Sequence, residues 1–164
     1  MPVEIVVEDD RWQALALESL CIRAVEMTLT TLSLSPTSFT VEILACDDDR
    51  IAELNYKFRD KSTSTNVLSW PSVDRCAAKD GERPQPPNEE QEPDLGDIAI
   101  AYETCASEAH QAGKPLTEHL LHLVVHATLH LLGYDHQRDQ DATLMERIEV
   151  TVLGKLGVDN PYLT

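Results

Sequence analysis

HLVVHATLHLLGYDH, residues 122–136, decides how the rest of the chain is read. Apolar residues fill much of it, and histidines stand four residues apart at 122, 126 and 130. On a helix of about 3.6 residues per turn that spacing stacks them along one face. Gly133 is where such a helix should stop, because glycine accepts the left-handed conformation that closes a helix C-terminus. His136 follows the stop and can swing back toward the same face. The stretch predicts a buried helix over about 116–132, a glycine turn, and a third histidine returned to the helix surface.

Two imidazoles placed this way can hold one ion at metal–nitrogen distances of about 2.0–2.1 Å. His126, His130 and His136 are the candidate ligands. Three protein ligands leave a fourth position for water, the arrangement of a catalytic rather than a structural zinc, so one Zn2+ is the expected cofactor. His122 is a rival, but it lies roughly 12 Å along the axis from His130 at 1.5 Å per residue, and one ion cannot bridge that span. A set of His122 and His126 completed from elsewhere in the chain leaves His136 unexplained. His122 is read as a packing residue or one that supports the ligands, and His119 and His110 as ordinary helix or surface residues. Three unrelated histidines on an apolar helix are a poorer reading, because a buried imidazole needs partners. The spacing matches the metzincin protease pattern H-E-x-x-H-x-x-G-x-x-H. Ala127, however, stands where those enzymes carry their glutamate general base. Alanine takes no proton from water, so a peptidase of that mechanism is disfavoured.

Outward from this stretch, helices are expected over about 102–112, ending near Gly113 and Pro115, and over about 139–156. Toward the N-terminus, VEIVVE (3–8), FTVEILAC (39–46), TNVLSW (65–70) and GDIAIA (96–101) read as strands. Residues 11–32 read as a first helix. DDDR (47–50) supplies an N-cap and favourable negative charge for a second helix through IAELNYKFR. The fold class is α/β (α+β): one small, mixed, four-stranded sheet with about five packed helices. The whole of 1–164 is read as a single domain. Residues 71–94 are rich in proline and acids and are read as a mobile surface loop, a tolerated insertion rather than a lid.

The chain carries 29 Asp plus Glu against 13 Lys plus Arg, a formal net charge of −16. That balance argues against non-specific binding to a polyanion, which needs clustered cations. Solubility accounts for most of it; the sharper reading is an acidic face that meets a basic partner protein. No apolar run approaches the roughly 20 residues that span a bilayer. The N-terminus MPVEIVVEDD lacks the basic start and cleavage site of a signal peptide. Cys21, Cys46, Cys76 and Cys105 are scattered and form no CxxC, so neither disulfides nor a thiolate metal site is expected. A cytoplasmic setting without membrane contact is the default expectation.

HLVVHATLHLLGYDH resembles the signature H-G-x-L-H-L-x-G-Y-D-H of the YbeY family, bacterial endoribonucleases of ribosomal RNA maturation. LNYKFRDKSTSTNVLSWP (54–71), LGDIAIA (95–101) and LGVDNPY (156–162) are similar to further family segments, in the same order. Ala127 replaces the family glycine, Asn66 a usual aspartate and Trp70 a usual phenylalanine. The resemblance implies a mixed sheet with helices, a zinc ion, and single-strand-specific cleavage of ribosomal RNA in its processing and quality control. It carries over His126, His130 and His136 as ligands and Arg59 as the functional arginine. Arg59 sits with Lys57 and Lys61 in the densest cationic patch of the chain, and a guanidinium can grip phosphate and offset charge developing on it. Without the resemblance Arg59 reads as a salt-bridge partner of Asp60 or Glu53. The nucleophile is either water or the adjacent 2′-hydroxyl. No general base is evident; Asp135 is a candidate, or orients His136. The acidic surface suggests docking on a ribosomal particle through a basic protein. The other readings are a zinc hydrolase of another substrate class and a non-catalytic ribosome assembly factor with a structural zinc.

Overall fold

The alternating apolar residues of VEIVV and TVEILAC become strand faces in the computed structural model, which describes residues 2–59 and 65–163, the side chains of Phe58 and Arg59 excepted. Four strands, β1 (Val3–Val7), β2 (Thr40–Cys46), β3 (Val67–Pro71) and β4 (Asp94–Ala101), form one sheet in the order β1-β2-β4-β3. β1, β2 and β4 run parallel, and β3 lies antiparallel on the edge beside β4. Among the described residues, five α-helices complete the α/β architecture that the sequence predicts: α1 (Leu17–Thr31), α2 (Asp48–Arg59), α3 (Tyr102–Ala112), α4 (Leu116–Leu131) and α5 (Asp139–Lys155).

Strand side chains alternate between faces. Val3, Val41, Ile43, Ile98 and Ile100 are buried in the main core with α1 and α4. Leu68, Ala99 and Ala101 form a smaller core on the other face with Ile51 of α2. Asp47 caps α2 as its position suggests, its Oδ1 accepting from the Arg50 amide at 2.8 Å. α4 is central: Leu120, Leu121, Val124, Val125, Leu129 and Leu131 are all buried, and each such side chain contributes about 1.5–3 kcal/mol through its burial. Its histidines occupy the remaining stripe.

The first helix is shorter than the predicted 11–32. Asp10–Leu15 forms a separate 3-10 helix, and Ala16, at φ 47°, breaks the path before α1. Tertiary anchoring accounts for the break. The Asp9 carboxylate accepts from the Arg11 amide at 3.0 Å, and the buried Trp12 ring donates to the Cys46 carbonyl at 2.9 Å. The segment is thereby held to the end of β2, off the α1 axis.

Gly96 sits where β4 pairs irregularly with β2. Its φ is +131°, and a Cβ there would lie 2.2 Å from the Trp70 carbonyl oxygen, so only glycine lets β3 approach this closely. That approach fixes β3 as the strand facing α4 across the functional cleft.

Candidate metal centre

α4 ends as the glycine suggests. The Gly133 amide donates to the His130 carbonyl and the Tyr134 amide to the Leu129 carbonyl, both at 3.0 Å, with Gly133 at φ +100°. This is a Schellman closure. The turn reverses the chain and returns His136 beside the helix. The ring centroids of His126 and His130 are 4.6 Å apart, and that of His136 lies 5.3 Å from the first and 5.0 Å from the second. Ligand atoms of all three residues lie within 4.8 Å of one another and could hold a metal ion.

Hydrogen bonds decide which nitrogens face the gap. His130 Nδ1 lies 3.0 Å from the Tyr134 carbonyl oxygen. A carbonyl only accepts, so Nδ1 carries the proton and Nε2 of the neutral ring keeps its lone pair. His126 Nδ1 lies 2.5 Å from Glu149 Oε1. Burial alone would push the Glu149 carboxyl up, but hydrogen bonds from His122 and His126 outweigh it and hold the group down at about 2. An ionised carboxylate also only accepts, so His126 Nδ1 carries a proton and its Nε2 is the atom turned to the gap. The two Nε2 atoms are 3.0 Å apart. Burial first, then the neighbouring His126 and His136, lowers His130 to about 4, so that ring is neutral at pH 7. With both Nδ1 atoms committed elsewhere, the two Nε2 atoms face each other and could hold a metal ion together with His136.

Glu149, on α5, is fully buried. Its Oε2 also meets His122 Nε2 at 3.1 Å and accepts from the Tyr162 hydroxyl. Burial, then the bond to Glu149, pushes the Tyr162 hydroxyl well above its ordinary value. His122, His126 and Glu149 form a second group of close ligand atoms, but these atoms already bond one another. His122 thus shares the Glu149 carboxylate with His126. Asp135 Oδ1 accepts from the His136 amide at 2.8 Å and lies 4.0 Å from His130 Nδ1, so it orders the turn.

The histidines floor a cleft of about 590 Å³ between α4 and β3, walled by Val67, Ser69, Pro71, Gln137 and Tyr162. Among the described residues no lysine or arginine lines it. Asn66 stands at one end: its Oδ1 accepts from the Val67 amide at 2.7 Å, and its Nδ2 donates to Glu108 Oε1 at 3.0 Å. His119 Nε2 lies 2.9 Å from the same Glu108 oxygen. An aspartate at 66 would set a second carboxylate against Glu108, so the amide suits this chain. Arg59 closes α2, but its side chain lies outside the described residues, as do residues 60–64.

Sequence reasoning brought the three ligand candidates together and missed Glu149, Tyr162 and Glu108. Glu149 had a signal: it stands among Met145, Ile148 and Val152 on the buried stripe of α5, where a carboxylate is out of place without a partner.

Comparison with known proteins bears on this site. The family profile described as Endoribonuclease YbeY matches residues 4–157. Proteins with that name from Ruegeria sp. and Dinoroseobacter shibae are 53% and 54% identical; the alignments span 99% of this chain and 97% and 91% of those proteins. One from Rhodopseudomonas palustris is 41% identical over 97% of this chain and 80% of its own length. A solution structure from Thermotoga maritima superposes with a TM-score of 0.56 at 20% identity, covering 99% of both chains, which shows the shared fold.

Proposed function

The chain belongs to the Endoribonuclease YbeY family, and from that premise we propose that it is a zinc-dependent, single-strand-specific endoribonuclease acting in ribosomal RNA processing, maturation and quality control. One observation supports this above the others: three imidazoles converge, two with their Nε2 atoms turned toward each other, on the floor of an open cleft.

His126, His130 and His136 would hold a single Zn2+. When bound, the ion supplies Lewis acidity toward a phosphoryl oxygen and lowers the pKa of water. Glu149 and the Tyr134 carbonyl fix the ring orientations of His126 and His130. The cleft between α4 and the edge strand β3 would receive an extended single strand. Among the described residues its lining offers no lysine or arginine beside the metal site, which leaves a part for a guanidinium that reaches in from its edge. Arg59 is assigned that part: it ends α2, and Asn66 lines the cleft just beyond the undescribed 60–64. Its guanidinium offsets charge that builds on the phosphate during cleavage.

The formal charge of −16 makes free RNA a weak partner. Productive action takes place on a ribosomal particle, reached through a basic protein, in the cytoplasm. Among the described residues no helix is long and apolar enough to cross a membrane.

The test is cleavage of single-stranded ribosomal RNA, run beside zinc analysis. His126→Ala should lose both zinc and cleavage, and Arg59→Glu should keep zinc and lose cleavage by about 100-fold or more, the scale of removing one group that stabilises developing charge. A folded His126→Ala protein with full nuclease activity would refute the reading.

A further inference from the structure

The segment between β3 and β4 contains no helix or strand from Ser72 to Pro93, yet its first part is bound to the turn that carries His136. Arg75 is buried, its side chain only 4% exposed. Its Nη1 donates to the Leu131 carbonyl at 3.0 Å. The Schellman closure uses the Leu129 and His130 carbonyls, so this guanidinium satisfies the next carbonyl of the α4 C-terminus and sets a positive charge at the negative end of the helix. Its Nη2 lies 3.3 Å from Ser72 Oγ, which donates to the Asp94 carbonyl at 2.6 Å, tying the arginine to the start of β4.

The backbone of the same residue presses on the turn from the other side. A Cβ on Gly133 would lie 2.5 Å from the Arg75 carbonyl oxygen. Beyond His136, Arg138 donates to the carbonyls of Ala77 at 2.8 Å and Ala78 at 3.0 Å. The Asp141 amide then donates to Asp80 Oδ1, and the Gly81 amide to Asp141 Oδ1, each at 2.8 Å. Residues 75–81 thus grip the chain at 131–133 and again at 138–141, and His136 lies between the two grips.

We propose that Arg75 is a positioning residue for the third metal ligand, and that residues 75–81 act as a clamp that holds His136 over the His126–His130 pair. This rests on the proposed three-histidine zinc site. The backbones of His126 and His130 are held by α4 itself, and the turn reaches that pair only through the Tyr134 carbonyl on the His130 ring. His136 follows a glycine turn and is exposed, so its place depends on what holds the turn. The segment is a working part of the site rather than a passive insertion.

A double-mutant cycle tests the clamp, with zinc affinity measured by chelator competition and melting of the metal-free protein as the folding control. Arg75→Met keeps the aliphatic stem and removes the donors. It should weaken zinc binding about tenfold or more, the scale seen when groups that orient ligands are removed. Arg75→Lys retains the charge and one donor for the Leu131 carbonyl and should recover most of the loss. In a His136→Ala background, Arg75→Met should add almost nothing, because the ligand through which it acts is gone. Wild-type affinity in a folded Arg75→Met protein, or a full additional loss in the His136→Ala background, overturns the clamp while leaving the zinc site standing. Wild-type protein that takes up no zinc removes the site and the clamp together.

Discussion

His126 has both ring nitrogens committed, and most of the site's logic passes through it. Nδ1 is bound to a carboxylate that has no exposure to water, and Nε2 faces His130. Glu149→Gln keeps the shape of the carboxylate and removes its charge, so the bond that orients the ring loses its charge assistance. Zinc affinity should fall by about 10–100-fold in a protein that still folds, as read by chelator competition beside circular dichroism. Unchanged affinity would show that His126 needs no charged partner. At this scale the sequence was readable where spacing carries geometry: four residues on a helix and a glycine stop place His126, His130 and His136. It was unreadable where the partner arrives from another element. No local pattern ties Glu149 on α5, or Tyr162 in the tail, to His126 on α4. The odd carboxylate on an apolar stripe said only that some partner exists.

Between elements, the decisive feature is the junction of α4 with its turn. Gly133 combines a positive φ with the Arg75 backbone at van der Waals limit. Gly133→Ala meets both penalties and should destabilise the protein by at least about 2 kcal/mol, with a larger loss of zinc affinity than a core substitution of equal stability cost. Urea melts and zinc titration of the same samples would check this. Helix and strand positions were legible because periodicity and stop signals agree with packing: α3, α4 and α5 fall within a residue or so of their expected limits. The N-terminal helix was overextended because the Trp12 anchor to Cys46, which bends 10–15 away, involves residues distant in sequence. The segment after β3 read as an insertion for the same reason: its composition shows proline and acids, whereas its contacts with 131–141 exist only in three dimensions.

For the molecule as a whole, acid should act on stability and metal together. His130 has a folded value of about 4 against 6.5 for the free side chain, and Glu149 about 2 against 4.5. Both folded values are depressed, so on acidification the unfolded chain takes up protons that the native chain refuses. Their contributions are complete above about pH 6.5 and lost as pH falls, first through the 6.5–4 window for His130 and then through 4.5–2 for Glu149. The metal-free protein should therefore melt at progressively lower temperature below pH 6.5, and zinc should be released over the same upper window as protons compete for the imidazoles. Melting curves that stay flat from pH 7 to pH 4 would contradict the half-buried, neutral His130. The extensive core on both faces of the sheet does not depend on the ion, so chelation at pH 7 should leave a folded protein.

The central claim is that three imidazoles share one cation, and X-ray absorption spectroscopy of the zinc-loaded protein addresses it most directly. The expected result is one zinc per chain, with three imidazole nitrogens and one oxygen donor at about 2.0–2.1 Å. A spectrum showing a sulfur neighbour near 2.3 Å, or only two imidazoles with no change in His136→Ala, would contradict it.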